Sequence, residues 1–102
     1  MNRLMLLAML GACTALAVPA HAADVAAGKA RAEDSCVDCH GDDGKGDDDS
    51  PGIAGMSIEK FTKAMQEYQN GTRTKSPKMT KEAKKLSAAD MANLAAYYAT
   101  LK

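Results

Sequence analysis

The run Cys36-Val37-Asp38-Cys39-His40 constrains this chain more than any other feature of it. Two thiols three positions apart stand about one helical turn from each other, and an imidazole follows the second thiol directly. In this arrangement each thiol can add to one of the two vinyl groups on a haem edge. The imidazole can then reach the iron from one face, so the spacing predicts covalent attachment of a c-type haem.

Two other chemistries fit the cysteine pair less well. A thioredoxin-like redox pair belongs beside a strand of a βαβ unit, and the sequence shows no alternation typical of strands. A structural zinc site takes four Cys or His ligands. If residues 1–22 are removed as a targeting segment, the remaining cysteines and histidine are Cys36, Cys39 and His40. The sequence therefore favours haem and its iron over zinc.

The N-terminal segment, residues 1–22, has the organisation of a secretory signal peptide. Arg3 supplies a basic start, residues 4–18 are mostly apolar, and Ala20-His21-Ala22 is a small-x-small cleavage site. Pro19 ends the apolar run before the ~20 residues that a transmembrane helix requires. An uncleaved anchor is the alternative. We expect an exported, periplasmic domain spanning residues 23–102, with no membrane span after cleavage.

The expected mature chain is small and near neutral. Removing 22 of 102 residues leaves 80, with 12 basic and 13 acidic side chains. This balance gives no indication of nucleic-acid binding. Its aromatic residues are Phe61, Tyr68, Tyr97 and Tyr98. So small a core usually needs a disulfide, a metal or a cofactor, and we expect haem to supply its largest apolar body.

Hydrophobic periodicity predicts an all-α domain of about four helices wrapped around one haem. Asp24 caps a first helix that runs to about Asp34, and Ser57 caps a second helix over residues 58–69. The last helix begins at the capping box Ser87-Ala88-Ala89-Asp90. Residues 36–55, rich in glycine and aspartate, are predicted as loop. Residues 72–78 are predicted to be extended or turning, with a short helical turn over 81–85.

The second axial ligand of the iron cannot be another histidine of the mature chain, because His40 is the only one. Met65 and Met91 lie on apolar helix faces and are expected in the core. Met56 precedes a helix in a glycine-bounded turn and stays an alternative. Met79 follows a proline in a polar segment where packing gives no reason for a thioether, so we predict Met79 as the distal ligand. His/Met ligation raises the reduction potential and leaves no substrate site, which favours an electron carrier over an enzyme.

The whole expected mature chain resembles a class I cytochrome c of the small bacterial monohaem type. The resemblance rests on Cys36-x-x-Cys39-His40-Gly41-x-x-Gly44-x-Gly46, on Pro51-x-Ile53-Ala54-Gly55 and on the helix that follows Leu86-Ser87-x-x-Asp90. Residues 53–87 are also similar to the haem subunit of flavocytochrome c sulfide dehydrogenase. The resemblance implies that the Pro51 carbonyl accepts a hydrogen bond from the proximal imidazole. It also implies that Gly28 lets the first helix cross the last, near Leu94 and Tyr98.

Two charged segments complete the sequence. The acidic loop, with Asp42, Asp43, Asp47, Asp48 and Asp49, lacks the glycine and glutamate positions of a calcium-binding EF-hand, so we interpret it as solvated. The basic segment, residues 73–85, surrounds Met79 and could guide an acidic redox partner to the haem edge.

Three functions follow from these features. The first is a periplasmic carrier of single electrons between redox proteins. The second is the haem subunit of a complex that accepts electrons from a flavoprotein subunit. The third, a ligand-binding or peroxidase-like haem protein, requires that Met79 be absent from the iron.

Overall fold

The computed structural model describes residues 23–102, which form five helices and no strand. The predicted signal peptide, residues 1–22, lies outside these described residues. In chain order the helices are α1 (Val25–Ser35), α2 (Val37–His40), α3 (Ile58–Asn70), α4 (Pro77–Lys84) and α5 (Ala88–Thr100). The prediction of an all-α domain is confirmed.

The three longest helices begin at the capping residues that the sequence predicted. The Asp24 side chain accepts a hydrogen bond from the Ala27 N–H at the start of α1, at 3.0 Å. The Ser57 hydroxyl does the same for α3. At α5, Ser87 and Asp90 form both bonds of the capping box, at 3.0 and 3.1 Å. Each cap satisfies N–H groups that a helix end leaves without an intrahelical partner.

Two helices differ from the prediction. The segment 36–55 is not all loop, because α2 forms directly after α1. The segment 72–78 was predicted to be extended or turning, but α4 begins at Pro77. Ser76 is its N-cap and Pro77 its first residue, a position where the missing N–H of proline costs nothing. The prediction treated Ser76-Pro77 as a break, and the structure shows that it starts a helix.

Helices α1 and α5 cross at Gly28. A Cβ atom built on this glycine would lie 2.1 Å from the Asn93 carbonyl oxygen and 2.9 Å from the Cβ atom of Tyr97. The predicted crossing is confirmed, and the closest residues are one position before the predicted Leu94 and Tyr98. The crossing is extended by the Asp24 N–H, which donates to the Asn93 side chain at 2.8 Å. Only glycine allows the two backbones to approach this closely.

The buried core is small and lies at one side of a large cavity. Its members come mainly from α3 and α5, and the largest are Phe61, Met65, Met91, Leu94, Tyr97 and Tyr98. The rings of Phe61 and Tyr98 stack with their centroids 5.8 Å apart. Within residues 23–102, none of the helices combines the length and apolarity needed to cross a bilayer.

Candidate haem site

The cysteine motif forms the junction between α1 and α2. Cys36 is both the C-cap residue of α1 and the N-cap residue of α2, and its N–H donates to the Ala32 carbonyl at 2.8 Å. The Cys36 carbonyl accepts hydrogen bonds from the N–H groups of Cys39 and His40, at 3.3 and 3.0 Å. Both thiols therefore belong to one helical turn, as the spacing predicted. Both cysteines are half-buried, and within residues 23–102 neither forms a disulfide.

The surroundings of the two thiols differ. Burial raises the pKa of the Cys36 thiol, because removal from water disfavours the thiolate. The Cys39 sulfur lies 3.0 Å from the ammonium nitrogen of Lys78, and this hydrogen bond raises the pKa of the Lys78 side chain. Lys78 belongs to the first turn of α4. The contact therefore joins the helix that carries Met79 to the cysteine motif.

The His40 imidazole is buried, with 7% of its surface exposed. Among residues 23–102, only its Nδ1 atom has a protein partner at hydrogen-bond distance. Nδ1 lies 2.8 Å from the Pro51 carbonyl oxygen. A carbonyl can only accept, so Nδ1 carries a proton, and in this tautomer the lone pair of the imidazole lies on Nε2. His40 and Pro51 both line the cavity. The ring is therefore oriented and in the tautomer that binds a metal through Nε2.

The loop after α2 brings Pro51 back to His40. The Gly46 N–H donates to the His40 carbonyl at 2.8 Å, and the Asp47 N–H donates to the Ser50 carbonyl at 2.8 Å. Gly46 has φ +71°, and a Cβ atom there would lie 2.3 Å from the Ser50 carbonyl oxygen. In the acidic loop, the Asp47 carboxylate accepts from the N–H groups of Asp49 and Ser50, both at 2.9 Å. This aspartate therefore shapes the loop as an Asx turn does.

A cavity of about 420 Å³ opens between the motif, the loop and helices α3 and α4. This volume is within the range of ~300–1,000 Å³ typical of cofactor sites. The motif contributes Cys36, Cys39 and His40, and the walls are mainly apolar, with Ile53, Phe61, Ala64, Met65, Ala83, Leu86 and Leu94. Two thiols, one prepared imidazole nitrogen and an apolar enclosure are the groups that a covalently attached haem requires, so the residues present fit it.

Three of the four methionines considered as ligands line this cavity: Met56, Met65 and Met79. Met65 is 8% exposed and packs in the core on α3. Met91 is 7% exposed and is not among the residues that line the cavity. The expected core placement of Met65 and Met91 is therefore confirmed. Met79 is half-buried in the first turn of α4, where its N–H donates to the Ser76 hydroxyl at 3.2 Å. It lies on a helix, not in the irregular segment that was predicted.

The cavity mouth carries charged side chains, and the sequence had indicated only that a basic segment surrounds Met79. Arg73 lines the cavity, pairs with Glu67 at 2.8 Å and lies over the Tyr68 ring, 5.7 Å from its centroid. Exposed lysines Lys75 and Lys78 line the same mouth. The roles of Phe61, Tyr68 and Arg73 in the cavity wall were not predicted. The apolar face of α3 was visible in the sequence, but its orientation toward the haem motif was not.

Fold and site together define a class: an all-α domain that attaches haem covalently through a CxxCH motif. A family model described as Cytochrome c matches residues 25–102. The chain is 35% identical over 91 residues to cytochrome c-554(547) of Halothiobacillus neapolitanus, an alignment covering 79% of this chain and 100% of that protein. It is 37% identical over 82 residues to cytochrome c-554(548) of Halomonas halodenitrificans, covering 78% and 98%.

A third relative is cytochrome c4 of Pseudomonas aeruginosa, which is 41% identical to this chain over 85 residues. The alignment covers 81% of this chain and 41% of that protein. The chain belongs to the cytochrome c family. It is a haem c electron-transfer protein, a carrier of electrons and not an enzyme, and it exchanges electrons with redox partner proteins. The alternative of a flavocytochrome subunit gains no specific support from these relatives, which are all named as cytochromes.

Proposed function

We propose that the chain is exported to the periplasm, loses residues 1–22, and carries single electrons on one haem bound by Cys36 and Cys39 and ligated by His40 and Met79. The observation that carries the proposal is the joint placement of a prepared imidazole and the Met79 helix around one apolar cavity. The bound haem supplies one-electron chemistry at its iron. With both axial positions taken by the protein, no position remains for a substrate.

The proximal side depends on Pro51. Its carbonyl accepts the Nδ1 proton of His40, which fixes the plane of the ring and makes Nε2 a stronger donor. Gly46 keeps this carbonyl in place, because the loop is too tight there for any side chain. We therefore assign Pro51 the role of orienting the proximal ligand.

On the distal side we assign Met79 rather than Met65, and the spectrum described below decides between Met79 and Met56. Met65 is enclosed in the core of α3, and its removal from that position would leave a void. Met79 is half-buried on a short helix whose first turn also contacts Cys39 through Lys78. This contact keeps the first turn of α4 beside the cysteine motif. A thioether ligand favours ferrous iron, so the potential is expected to be high for a c-type haem.

The visible spectrum of the purified holoprotein tests this ligand. The ferric protein is expected to show the weak far-red band of methionine–iron ligation, and the ferrous protein to bind carbon monoxide poorly. Met79→Ala is expected to lose the band and bind carbon monoxide. Met56→Leu and Met65→Leu are the matched controls and should keep the band. If one of them loses it while Met79→Ala keeps it, the ligand is that methionine and the assignment of Met79 is wrong.

The basic segment 73–85 is the proposed docking surface for an acidic redox partner. Its exposed cations are Lys75, Lys78, Lys81, Lys84 and Lys85. Two acidic side chains neutralise part of this charge, because Glu82 pairs with Lys85 at 3.3 Å and Glu67 with Arg73. Of the remaining cations, Lys75 and Lys78 line the cavity mouth, where an approaching partner would be closest to the haem. Electrostatic attraction of this kind raises association rates and weakens with salt.

Electron exchange with a small acidic redox protein tests the docking surface. The double variant Lys75→Gln, Lys78→Gln should lower the second-order rate at low ionic strength and flatten its salt dependence. Lys29→Gln, Lys63→Gln is the control, because these two lysines lie outside the basic segment. An equal loss in both pairs would show that net charge alone matters.

The mass of the protein purified from a periplasmic fraction tests export, with an N-terminus at Ala23 as the expected result.

A further inference from the structure

Helix α4 is short and depends on other parts of the chain for its position. It has eight residues, Pro77–Lys84, and a helix of that length is not stable by itself in water. Of the helices in the described part of the chain, α3 is the one on which α4 packs closely. Ala83, fully buried, is its contact with the core. What joins α4 to α3 therefore decides where Met79 lies.

One side-chain amide makes that connection at two points. The Gln69 amide nitrogen, in the last turn of α3, donates to the Ala83 carbonyl at 2.8 Å and to the Leu86 carbonyl at 3.0 Å. An amide NH₂ has two protons, so both are used. Ala83 belongs to the last turn of α4, where its carbonyl also accepts from the Leu86 N–H at 3.1 Å, and Leu86 belongs to the link between α4 and α5. Gln69 thus holds both the end of α4 and the segment that follows it.

The held carbonyl is one helical turn from Met79. Ala83 is four positions after Met79, which corresponds to about 6 Å along the helix axis. Met79 at the other end is held by the Ser76 cap and by the neighbouring Lys78 contact with Cys39. Gln69 does not line the cavity itself. Any effect it has on the iron site must therefore pass through α4.

We propose that Gln69 is a positioning residue for the Met79 sulfur: its two hydrogen bonds hold α4 against α3 and so keep the distal position closed. The proposal rests on the proposed ligation by Met79. Without the two bonds, α4 moves away from α3 while the rest of the domain stays folded. An external ligand then reaches the iron more easily.

Binding of imidazole to the ferric holoprotein tests the proposal. Gln69→Glu replaces both donors by acceptors that face two carbonyl oxygens, and Gln69→Leu removes the donors without adding charge. Gln66→Glu, an exposed position on the same helix, is the matched control. We expect imidazole affinity to rise about tenfold in both Gln69 variants, the effect of losing one to two hydrogen bonds, and to stay unchanged in the control.

Thermal melting separates positioning from a general loss of stability. In the Gln69 variants the far-red methionine–iron band is expected to disappear well below the temperature at which helical circular dichroism is lost. Imidazole affinities equal to that of Gln66→Glu, or a band and helicity that vanish together, would overturn the role of Gln69 while leaving Met79 as the ligand. Absence of the band in the unmodified protein would overturn the ligation itself, and the inference with it. If Gln69→Glu yields no holoprotein, Gln69→Leu alone decides between these outcomes.

Discussion

The Nδ1 atom of His40 lies 2.8 Å from the carbonyl oxygen of Pro51, eleven residues further along the chain. The loop between them is closed by a second bond, from the Gly46 N–H to the His40 carbonyl. The His40 imidazole is therefore held both through its ring and through its own backbone. A loop of glycines and aspartates thereby orients a buried ring.

Gly46→Ala should disturb the proximal imidazole. Alanine at φ +71° is strained by ~1–2 kcal/mol, and its Cβ atom would also collide with the Ser50 and Pro51 backbone. The Pro51 carbonyl would move away from His40, the imidazole would become a weaker donor, and the reduction potential would rise. Gly71→Ala is the control, with φ +84° and nothing within 4 Å of the added atom. Protein-film voltammetry should show a shift only for Gly46→Ala, and equal potentials would refute this account.

Gly28→Ala should destabilise the domain although alanine is the better helix former. The added methyl group would lie 2.1 Å from the Asn93 carbonyl oxygen, so α1 and α5 must separate. We expect a loss of ~1–3 kcal/mol in the free energy of unfolding, the usual cost of overpacking. Ala30→Gly, an exposed change in the same helix, measures the size of the opposing propensity effect. A denaturant midpoint that stays the same or rises in Gly28→Ala would show that the crossing can relax.

The chain without haem should not fold cooperatively. Its core is limited to a few residues beside a cavity of about 420 Å³, and an unfilled apolar cavity of this size is strongly destabilising. The double variant Cys36→Ser, Cys39→Ser, expressed from residue 23 onward without haem, should have low helicity and no sigmoidal melting curve. Full helicity with cooperative melting would mean that the core suffices alone.

Stability should decline at high pH because of Tyr98. Its side chain is 1% exposed, and burial raises the pKa of its phenol above the usual value near 10. Above pH ~10 the unfolded chain loses this proton while the folded chain keeps it, so unfolding becomes easier as pH rises. Tyr98→Phe should remove that part of the decline. Urea midpoints at pH 7, 9 and 11 measure it, and parallel pH curves for the two proteins would contradict the assignment.

The sequence predicted those parts of the molecule that depend on neighbouring residues. The thiol spacing, the helix caps and the face of α3 are local patterns, and each is present in the structure. The second half of helix α4 was predicted as a short turn over residues 81–85. Its start was missed because Ser76-Pro77 is compatible both with a break and with a helix start. The Gln69 bonds and the contact of Lys78 with Cys39 join residues 14 to 39 positions apart, and no local pattern encodes such distances.

The crossing of α1 and α5 joins distant parts of the chain, since the bonded residues Asp24 and Asn93 are 69 positions apart. Closing so long a loop has an entropic cost, which the close packing of the two helices at Gly28 offsets. The cavity lies within the same loop, yet the thioether links are made to Cys36 and Cys39 at the end of α1. A molecule in which the two helices separate therefore keeps its cofactor on one of them. Transient opening costs such a carrier no prosthetic group, and each reclosing restores the same redox centre.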